Sequence, residues 1–346
     1  MTIDANSLII TPQILTMIAE IDAFNGAWKA SKNLSVERLK SLKKIATIES
    51  VGSSNRIEGN KLTNKEIDAL FDRVETRSFS SRDEQEVAGY AKLMETIFDH
   101  YEVIVFSENY IKQFHQTLLS FVDKDEYHRG SYKKFDNFVC AYDQNGREIG
   151  VIFETTSPFN TPREMSELIE WTRLQLNDGF LHPLLVIGVF VVWFLAIHPF
   201  QDGNGRLSRI LTTLLLLKSG YLYVAYSSIE AIIENNKEGY YKALRQTQGT
   251  FKDKPDYTEW LTFFLRTLQK QKRHLEAKID YNHFFLSPLS DKIIRLFDEN
   301  DRLTTREITK SLEANLHTVK KHIQELVKMK LLTKYGSTRG SWYMRA

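Results

Sequence analysis

The chain has 346 residues, of which 42% are hydrophobic and 12% aromatic, enough for two or three domains with sizeable cores. Its single cysteine, Cys140, excludes an intramolecular disulfide framework and a cysteine-rich zinc site, and we expect it to be a small apolar residue in a strand. Net charge is only +2, but residues 287–346 hold 12 Lys and Arg against 7 Asp and Glu, which indicates a separate basic module.

The amino terminus has neither the basic region nor the uninterrupted apolar run of a signal peptide, so a cytoplasmic location is expected. The apolar run Leu184–Ile197 is too short to span a bilayer, which takes about 20 residues. No membrane partner is therefore expected.

Residues 1–100 are predicted to be helical. Two helix starts are marked by capping boxes, Thr63 with Glu66 and Ser81 with Glu84.

The same region contains the segment Ser54-Asn55-Arg56-Ile57-Glu58-Gly59. Ser54 and Glu58 are four residues apart and would share a helical face, while Gly59 lies where the helix would end. The helix dipole opposes a carboxylate in a last turn by about 0.3 to 1 kcal/mol. Glu58 is therefore expected to have a cationic partner.

The middle of the chain changes from helix to strand and back. Residues 107–122 predict a helix whose His115 is expected to be packed or on the surface, not a ligand. Strand-forming residues on both sides of Asn145-Gly146 predict a hairpin. A helix follows at 162–177, and Leu184–Ile197, apolar all round, predicts a buried central helix.

The central helix leads into twelve residues dense in chemistry, HPFQDGNGRLSR at 198–209. Gly203 and Gly205 permit a tight loop whose N–H groups, at the start of the next helix, can bind phosphate. Asp202 suits Mg²⁺, which takes one carboxylate and completes its shell with phosphate oxygens. Arg206 and Arg209 supply fork-shaped donors for phosphate. His198 is placed to accept a proton from a hydroxyl group.

HPFQDGNGRLSR resembles the signature HPFx[D/E]GNGRxxR of Fic-domain proteins at every defined position. This resemblance implies a mainly helical Fic fold with a short β-hairpin flap, and transfer of AMP from ATP to a Ser, Thr or Tyr hydroxyl of a target protein. It implies His198 as general base, Asp202 as Mg²⁺ ligand, and the following three residues as the phosphate-binding loop. The implied loop residues are Gly203, Asn204 and Gly205.

The resemblance also implies the remaining nucleotide contacts. Arg206 would contact the phosphates, and Arg209 would bind the γ-phosphate. A later helix, EAIIENNKEGYYKALRQTQ, would contact adenine through Tyr241, Leu244 and Gln248, although many relatives have Asn in place of Gln248.

Residues 54–59 are similar to the [S/T]xxxE[G/N] inhibitory motif of Fic proteins with an N-terminal inhibitory helix. Ser54, Glu58 and Gly59 occupy its defined positions. The resemblance implies that Glu58 pairs with Arg209 and forces ATP into an unproductive pose.

The flap of Fic proteins pairs with the target backbone, and here it is expected at Gly146–Phe153. The family usually has a GxYR-type segment before it, where this chain has Gly130-Ser131-Tyr132-Lys133.

Residues 287–346 predict three short helices and a hairpin, an order that resembles a winged helix-turn-helix. His317, Thr318, Lys320 and Lys321 would face a DNA major groove, with Arg339 on the wing. A protein-contact or dimerisation role remains open beside DNA binding.

The predicted organisation is an N-terminal helical region at 1–100 with the inhibitory motif, a Fic catalytic core at 101–280, and the winged helix at 287–346. The leading hypothesis is a self-inhibited protein adenylyltransferase that uses ATP and Mg²⁺. The alternatives are a de-AMPylase, a transferase with another nucleotide donor, or a DNA-binding regulator with a nucleotide-sensing Fic domain. The target protein is not identified, and a homodimer remains open.

Overall fold

The computed structural model describes residues 3, 8–30, 34–71, 79–142, 148–279, 286–298, 300–329, 331–336 and 341–345. The chain forms two compact units, one of Met1–Asn25 with Lys40–Arg273 and one of Gly26–Leu39 with His274–Ala346. The predicted division into residues 1–100, 101–280 and 287–346 stays a prediction.

The first unit is mainly helical, as the sequence predicts. Its elements are α1 (Pro12–Ala30), α2 (Val36–Ile57), α3 (Asn64–Phe71), α4 (Arg82–His100), α5 (Glu108–Leu118), β1 (Phe138–Tyr142), β2 (Glu148–Glu154), α6 (Thr161–Asp178), α7 (Pro183–Ile197), α8 (Asn204–Lys218), α9 (Ile229–Glu234), α10 (Lys237–Gln248) and α11 (Thr258–Lys278). Helices α1, α2 and α11 extend past the boundaries of this unit.

The central helix is α7, and every residue from Leu184 to Leu195 is buried in it. Burial of each large apolar side chain stabilises the fold by about 1.5 to 3 kcal/mol. The helix packs against α6, α8 and α10. Since α7 is surrounded by protein, its carboxyl end holds the following loop, residues 198–203, in a fixed position.

Strands β1 and β2 form the predicted hairpin, with Phe138 opposite Glu154 and Tyr142 opposite Glu148. The register shifts at two places along the pair, as it does at β-bulges. Most of the expected flap lies in β2, while its turn at Asn145-Gly146 is outside the described residues.

The second unit contains α12 (Pro288–Arg295), α13 (Thr305–Ser311) and α14 (Leu316–Lys328), and a three-stranded antiparallel sheet of order β3-β5-β4. The strands are β3 (Leu303–Thr304), β4 (Leu332–Tyr335) and β5 (Trp342–Arg345). Helix α13 starts at a capping box of Thr304 and Glu307. The predicted wing residue Arg339 lies outside the described residues.

The second unit has its own apolar core between the helices and the sheet. Its central side chains are Ile293, Ile308, Val319, Ile323, Leu326 and Leu332. Among the described residues of the whole chain, no helix combines the length and apolar character that crossing a membrane requires.

Candidate active site

His198 follows the last residue of α7 and has a left-handed backbone, with φ 53°. This conformation costs a non-glycine residue roughly 1 to 2 kcal/mol, so surrounding contacts must maintain it. The His198 N–H donates to the Phe194 carbonyl at 2.9 Å, and ring Nδ1 lies 3.2 Å from the Leu195 carbonyl. A carbonyl can only accept, so Nδ1 carries the proton and the lone pair is on Nε2.

The electrostatics of His198 favour the same neutral state. Burial lowers the pKa of the imidazole to about 4, although the Leu195 carbonyl opposes this shift. The ring is therefore neutral near pH 7, which is the state that a general base needs.

The side chain of Asn204 closes the loop after His198. Its Oδ1 accepts from the Phe200 N–H at 2.9 Å, and its Nδ2 donates to the Phe200 carbonyl at 2.7 Å. Gly203, at φ 78°, precedes α8 in the left-handed region that glycine adopts without strain. Because the Asn204 side chain is used within the loop, we expect phosphate to meet its backbone amide in the first turn of α8.

His115 supports the loop from α5. Its Nδ1 accepts from the Gly130 N–H at 2.9 Å and its Nε2 donates to the Asp202 carbonyl at 3.0 Å. The ring is fully buried and stacks on Phe200 with the ring centroids 3.9 Å apart. Burial lowers the pKa of His115 to about 4. His115 is therefore a neutral, packed side chain, in agreement with the sequence-based expectation.

Asp202 lies at the open side of the loop, with 42% of its side chain exposed. Its Oδ1 accepts from the Gly203 N–H at 2.6 Å, while Oδ2 lies 3.3 Å from Arg206 and 3.4 Å from Arg82. Burial alone would raise the pKa of this carboxyl, but Arg206, the Gly203 amide and Arg82 lower it. Asp202 is therefore an ionised carboxylate.

The donor set at Asp202 fits Mg²⁺. Within the described residues, no group of three or more His, Cys, Asp or Glu side chains forms a metal site. A single half-exposed carboxylate suits this ion, which normally keeps waters and takes its other ligands from phosphates.

Arg206 is 3% exposed and lies between two carboxylates. Its Nη1 is 3.2 Å from Glu86 and its Nη2 is 3.3 Å from Asp202. Glu86 also pairs with Arg82 at 2.8 Å. Sequence reasoning missed Glu86 and Arg82, which belong to α4, because charged residues on a capped helix are usually solvent-exposed.

Arg209 is the other buried guanidinium of α8, also 3% exposed. Its Nε donates to Ser54 Oγ, and its Nη2 donates to both the Ser54 carbonyl and Glu58 Oε1, each at 2.8 Å. Burial alone would lower the pKa of Arg209, but Glu58 and neighbouring tyrosines raise it. The structure thus places Glu58 against Arg209, the pair that the resemblance implies, and adds Ser54 as a second partner of Arg209.

Glu58 also lies directly against α8. A Cβ added to Gly205 would come within 2.2 Å of Glu58 Oε1, so only glycine permits this approach. Gly59, at φ 98°, turns the chain away from α2.

Arg56 fixes the end of α2 to α9. Its Nε and Nη2 donate to the two carboxylate oxygens of Glu234 at 2.7 and 3.0 Å. Its Nη1 donates to the Leu62 carbonyl and to Asn64. Arg56 therefore helps to place the turn that carries Glu58.

The three residues predicted to contact adenine lie along one face of α10. Tyr241 is half-buried, and its pKa is raised by burial and by the nearby Glu58 charge. Leu244 is buried, and Gln248 Nε2 donates to the Val192 carbonyl of α7 at 3.3 Å. Gln248 Oε1 is buried without a hydrogen-bond partner among the described residues, so it can still accept one.

Comparison with known proteins finds similarity to Fic proteins. Residues 105–216 match the Fic/DOC family. A probable protein adenylyltransferase of Aquifex aeolicus is 32% identical over 99 residues, which cover 29% of this chain and 28% of that protein. The protein adenylyltransferase Fic of Aedes aegypti is 27% identical over 191 residues, 53% of this chain and 34% of that protein. The chain thus spans only about a third of the length of these relatives.

Two solved structures share the fold. A Fic family protein from Desulfovibrio desulfuricans has a TM-score of 0.64 at 23% identity, covering 98% of this chain and 97% of that one. A Fic domain containing signaling protein from Bacteroides thetaiotaomicron has a TM-score of 0.58 at 25% identity, covering 74% of this chain and 97% of that one. Residues 105–216 of this chain therefore match the Fic/DOC family, its fold is shared with solved Fic proteins, and its sequence relatives include proteins named protein adenylyltransferases.

Proposed function

We propose that this protein is a protein adenylyltransferase that transfers AMP from ATP to a Ser, Thr or Tyr hydroxyl of a target protein. The observation that carries the proposal is the state of His198, whose Nδ1–H is held by the Leu195 carbonyl so that Nε2 can accept a proton. This base directly precedes a loop and helix start suited to phosphate, with two buried guanidinium groups on the helix.

The proposed reaction forms one bond and breaks one bond at the α-phosphorus. The target hydroxyl oxygen attacks the α-phosphorus, and its proton passes to His198 Nε2. The bond from the α-phosphorus to the bridging oxygen breaks, and pyrophosphate leaves. The first-turn amides of α8, together with Arg206, would stabilise the charge on the phosphate oxygens.

Asp202 would hold Mg²⁺ through its half-exposed carboxylate. The ion, when bound, supplies charge neutralisation for the phosphates. Arg206, which lies beside both Asp202 and Glu86, would contact the phosphate oxygens next to the ion.

We further propose that Glu58 inhibits the enzyme within one chain. Arg209 would bind the γ-phosphate, but Glu58 and Ser54 occupy two of its nitrogen atoms. Productive ATP binding would therefore require Glu58 to leave Arg209. This contact needs no second subunit, so the proposal does not depend on a homodimer.

The test compares the wild type with Glu58→Gly and Glu58→Gly/His198→Ala, incubated with α-³²P-ATP and Mg²⁺ in the presence of a lysate. Label on protein should rise about 5- to 150-fold in Glu58→Gly, the usual range of a coupling between two sites. Removing the general base should then lower the rate by about 10² to 10⁴.

Other outcomes distinguish the alternatives. If all three forms bind ATP and none labels protein, adenylylation is the wrong reaction. Loss of AMP from a labelled protein in wild type but not in Glu58→Gly would instead indicate a de-AMPylase. Labelling with another nucleotide but not with ATP would indicate a transferase that uses that nucleotide as its donor.

A second proposal concerns the C-terminal unit, which we take to be a winged helix that binds DNA. Its support is the charged surface of α14, where Lys320 and Lys321 are exposed while Val319, Ile323 and Leu326 face the core. His317 and Thr318 are exposed at the start of the same helix.

Fluorescence anisotropy with duplex DNA at several salt concentrations tests this role. Replacing Lys320 and Lys321 with Ala should weaken binding. It should also reduce the slope of the logarithm of the binding constant against the logarithm of the salt concentration by about 2. Absence of salt-dependent binding would leave a protein-contact or dimerisation role for this unit.

A further inference from the structure

Lys133 is a buried lysine with an unusual set of contacts, in the segment that precedes β1. Its side chain is only 3% exposed, and the ammonium group donates to Asn137 Oδ1, Thr155 Oγ1 and the Ile197 carbonyl at 2.8, 2.8 and 3.0 Å. An ammonium has three N–H donors, and here each has an acceptor.

The three acceptors come from three different segments. Asn137 directly precedes β1, Thr155 directly follows β2, and Ile197 is the last residue of α7. Lys133 therefore joins the base of the hairpin to the end of the helix that carries His198.

The same segment fixes the backbone after His198. The Lys133 N–H donates to the Pro199 carbonyl at 2.8 Å, and Asn137 Nδ2 donates to the Phe200 carbonyl at 2.8 Å. Carbonyls on both sides of His198 are thus held, which explains how a non-glycine residue maintains a φ of 53°.

We infer that Lys133 is a positioning residue for the reaction, which fixes the backbone and ring orientation of His198 relative to the hairpin. This inference rests on the proposed function of His198 as the base. Lys133 contacts none of the residues assigned to the nucleotide, so its effect should be on the chemical step and not on ATP affinity.

The charge of Lys133 provides an independent readout. Burial lowers the pKa of His198 most, and Lys133 lowers it further, while Glu58 and Asp202 raise it. Burial also lowers the pKa of Lys133 itself to about 8, opposed by Asp136 and Glu164, so the group is still mostly charged at pH 7.

The experiment places Lys133→Met and Lys133→Arg in the full-length Glu58→Gly chain, with Lys134→Met as the matched control because Lys134 is exposed. The His198 ring is titrated by NMR without nucleotide, and kcat and KM for ATP are measured by labelling.

We expect Lys133→Met to raise the His198 pKa and to lower kcat about 100-fold, the cost of a small misplacement of a reacting group, with KM for ATP unchanged. Lys133→Arg keeps the positive charge and introduces the residue that the GxYR-type segment of Fic proteins has here, so the His198 pKa should stay low and kcat should fall less than in Lys133→Met. Lys134→Met should match its parent.

An unchanged kcat and an unchanged His198 pKa in Lys133→Met would overturn the inference. If Lys133→Met does not fold, Thr155→Val removes one acceptor in its place, and an unchanged kcat there would equally overturn it. If the Glu58→Gly parent labels no protein, the proposed function fails, and the NMR titration alone decides whether Lys133 controls His198.

Discussion

The two guanidinium groups of α8 are equally buried but are held differently. Arg209 has three hydrogen bonds of 2.8 Å to Ser54 and Glu58. Arg206 has longer contacts, 3.2 Å to Glu86 and 3.3 Å to Asp202. Among the described residues, two of its nitrogen atoms, Nε and Nη1, lack a hydrogen-bond partner, against one, Nη1, in Arg209.

Under the proposed function, this difference would give one site two kinds of phosphate-binding arginine. Arg206 is oriented by charge but retains free donor capacity, so a phosphate can be added to its present contacts. Arg209 already has its Nε and Nη2 in short hydrogen bonds to Ser54 and Glu58, so a phosphate on that side must replace the carboxylate. The first arrangement would prepare a phosphate site, whereas the second would regulate it.

Replacing Arg209 itself tests whether this arginine serves only to hold Glu58. In the Glu58→Gly background, Arg209→Met should lower kcat/KM for ATP by about 10² to 10³, the cost of one lost donor to the reacting phosphates. In the otherwise wild-type chain the same change should not activate the enzyme, because the phosphate contact is lost with the inhibitory one. Initial labelling rates at varied ATP concentration check both expectations. Activation of the otherwise wild-type chain by Arg209→Met would show that Arg209 serves only to hold Glu58.

Replacing Glu86 tests the orientation of Arg206. Glu86→Gln, in the Glu58→Gly background, should lower kcat/KM for ATP by about 10- to 100-fold, as changes in supporting residues around a charged site commonly do. Glu95→Gln is the matched control, since Glu95 is exposed on the same helix. Equal rates for the two variants would show that Asp202 alone orients Arg206.

Removing the Glu58 carboxylate should have a stability cost as well as a gain in activity. Glu58→Gln removes the negative charge beside the buried Arg209, although the amide oxygen can still accept its hydrogen bond, and this should lower the free energy of unfolding by about 1 to 3 kcal/mol. Thermal unfolding without nucleotide measures this loss, with Glu95→Gln as control. ATP should then raise Tm more in Glu58→Gln than in wild type, and an equal rise would argue against competition at Arg209.

Breaking the pair between Arg56 and Glu234 should weaken inhibition partially. The two side chains are 24% and 29% exposed, so we expect a loss of about 1 kcal/mol and a roughly fivefold rise in labelling by Arg56→Gln. The double exchange Arg56→Glu/Glu234→Arg should restore part of the inhibition. In the Glu58→Gly background, Arg56→Gln should leave the labelling rate unchanged. A higher rate there would show that Arg56 acts by a route other than the contact between Glu58 and Arg209.

The smallest expected effect is that of pH. A general base acts in its neutral form, and the pKa of His198 is lowered to about 4. Labelling by Glu58→Gly should therefore vary less than about twofold between pH 6 and 8 and should fall as the imidazole becomes protonated toward pH 4. A rate that instead halves near pH 6.5 would show that His198 titrates as an exposed histidine does.

The chemistry of the loop could be predicted from sequence because its parts are local. The base, the glycines and the arginines lie within twelve consecutive residues, and a uniformly apolar helix before them could only be buried. The pairing of Glu58 with Arg209 joins residues 151 positions apart, and only the resemblance to a family made it predictable.

The contacts that support the site could not be predicted, because contacts between elements far apart in the chain produce no periodic pattern in the sequence. Lys133 stands next to Lys134 in a loop, and nothing local distinguishes the buried residue from the exposed one. The capping box at α4 was also only half right. Ser81 Oγ accepts from the Glu84 N–H, as a capping box requires. The Glu84 carboxylate, however, accepts from the hydroxyl of Ser80 and not from the backbone of Ser81.

The Glu58 contact lies within a single chain, and this determines which conditions can release it. An inhibitor carried by the same polypeptide keeps a constant effective concentration when the protein is diluted. The active fraction would then depend on ATP concentration and on the intrinsic equilibrium of the contact, but not on how much of the protein a cell contains. Such an enzyme would respond to the nucleotide supply, or to a ligand that binds α2, and would be insensitive to its own expression level.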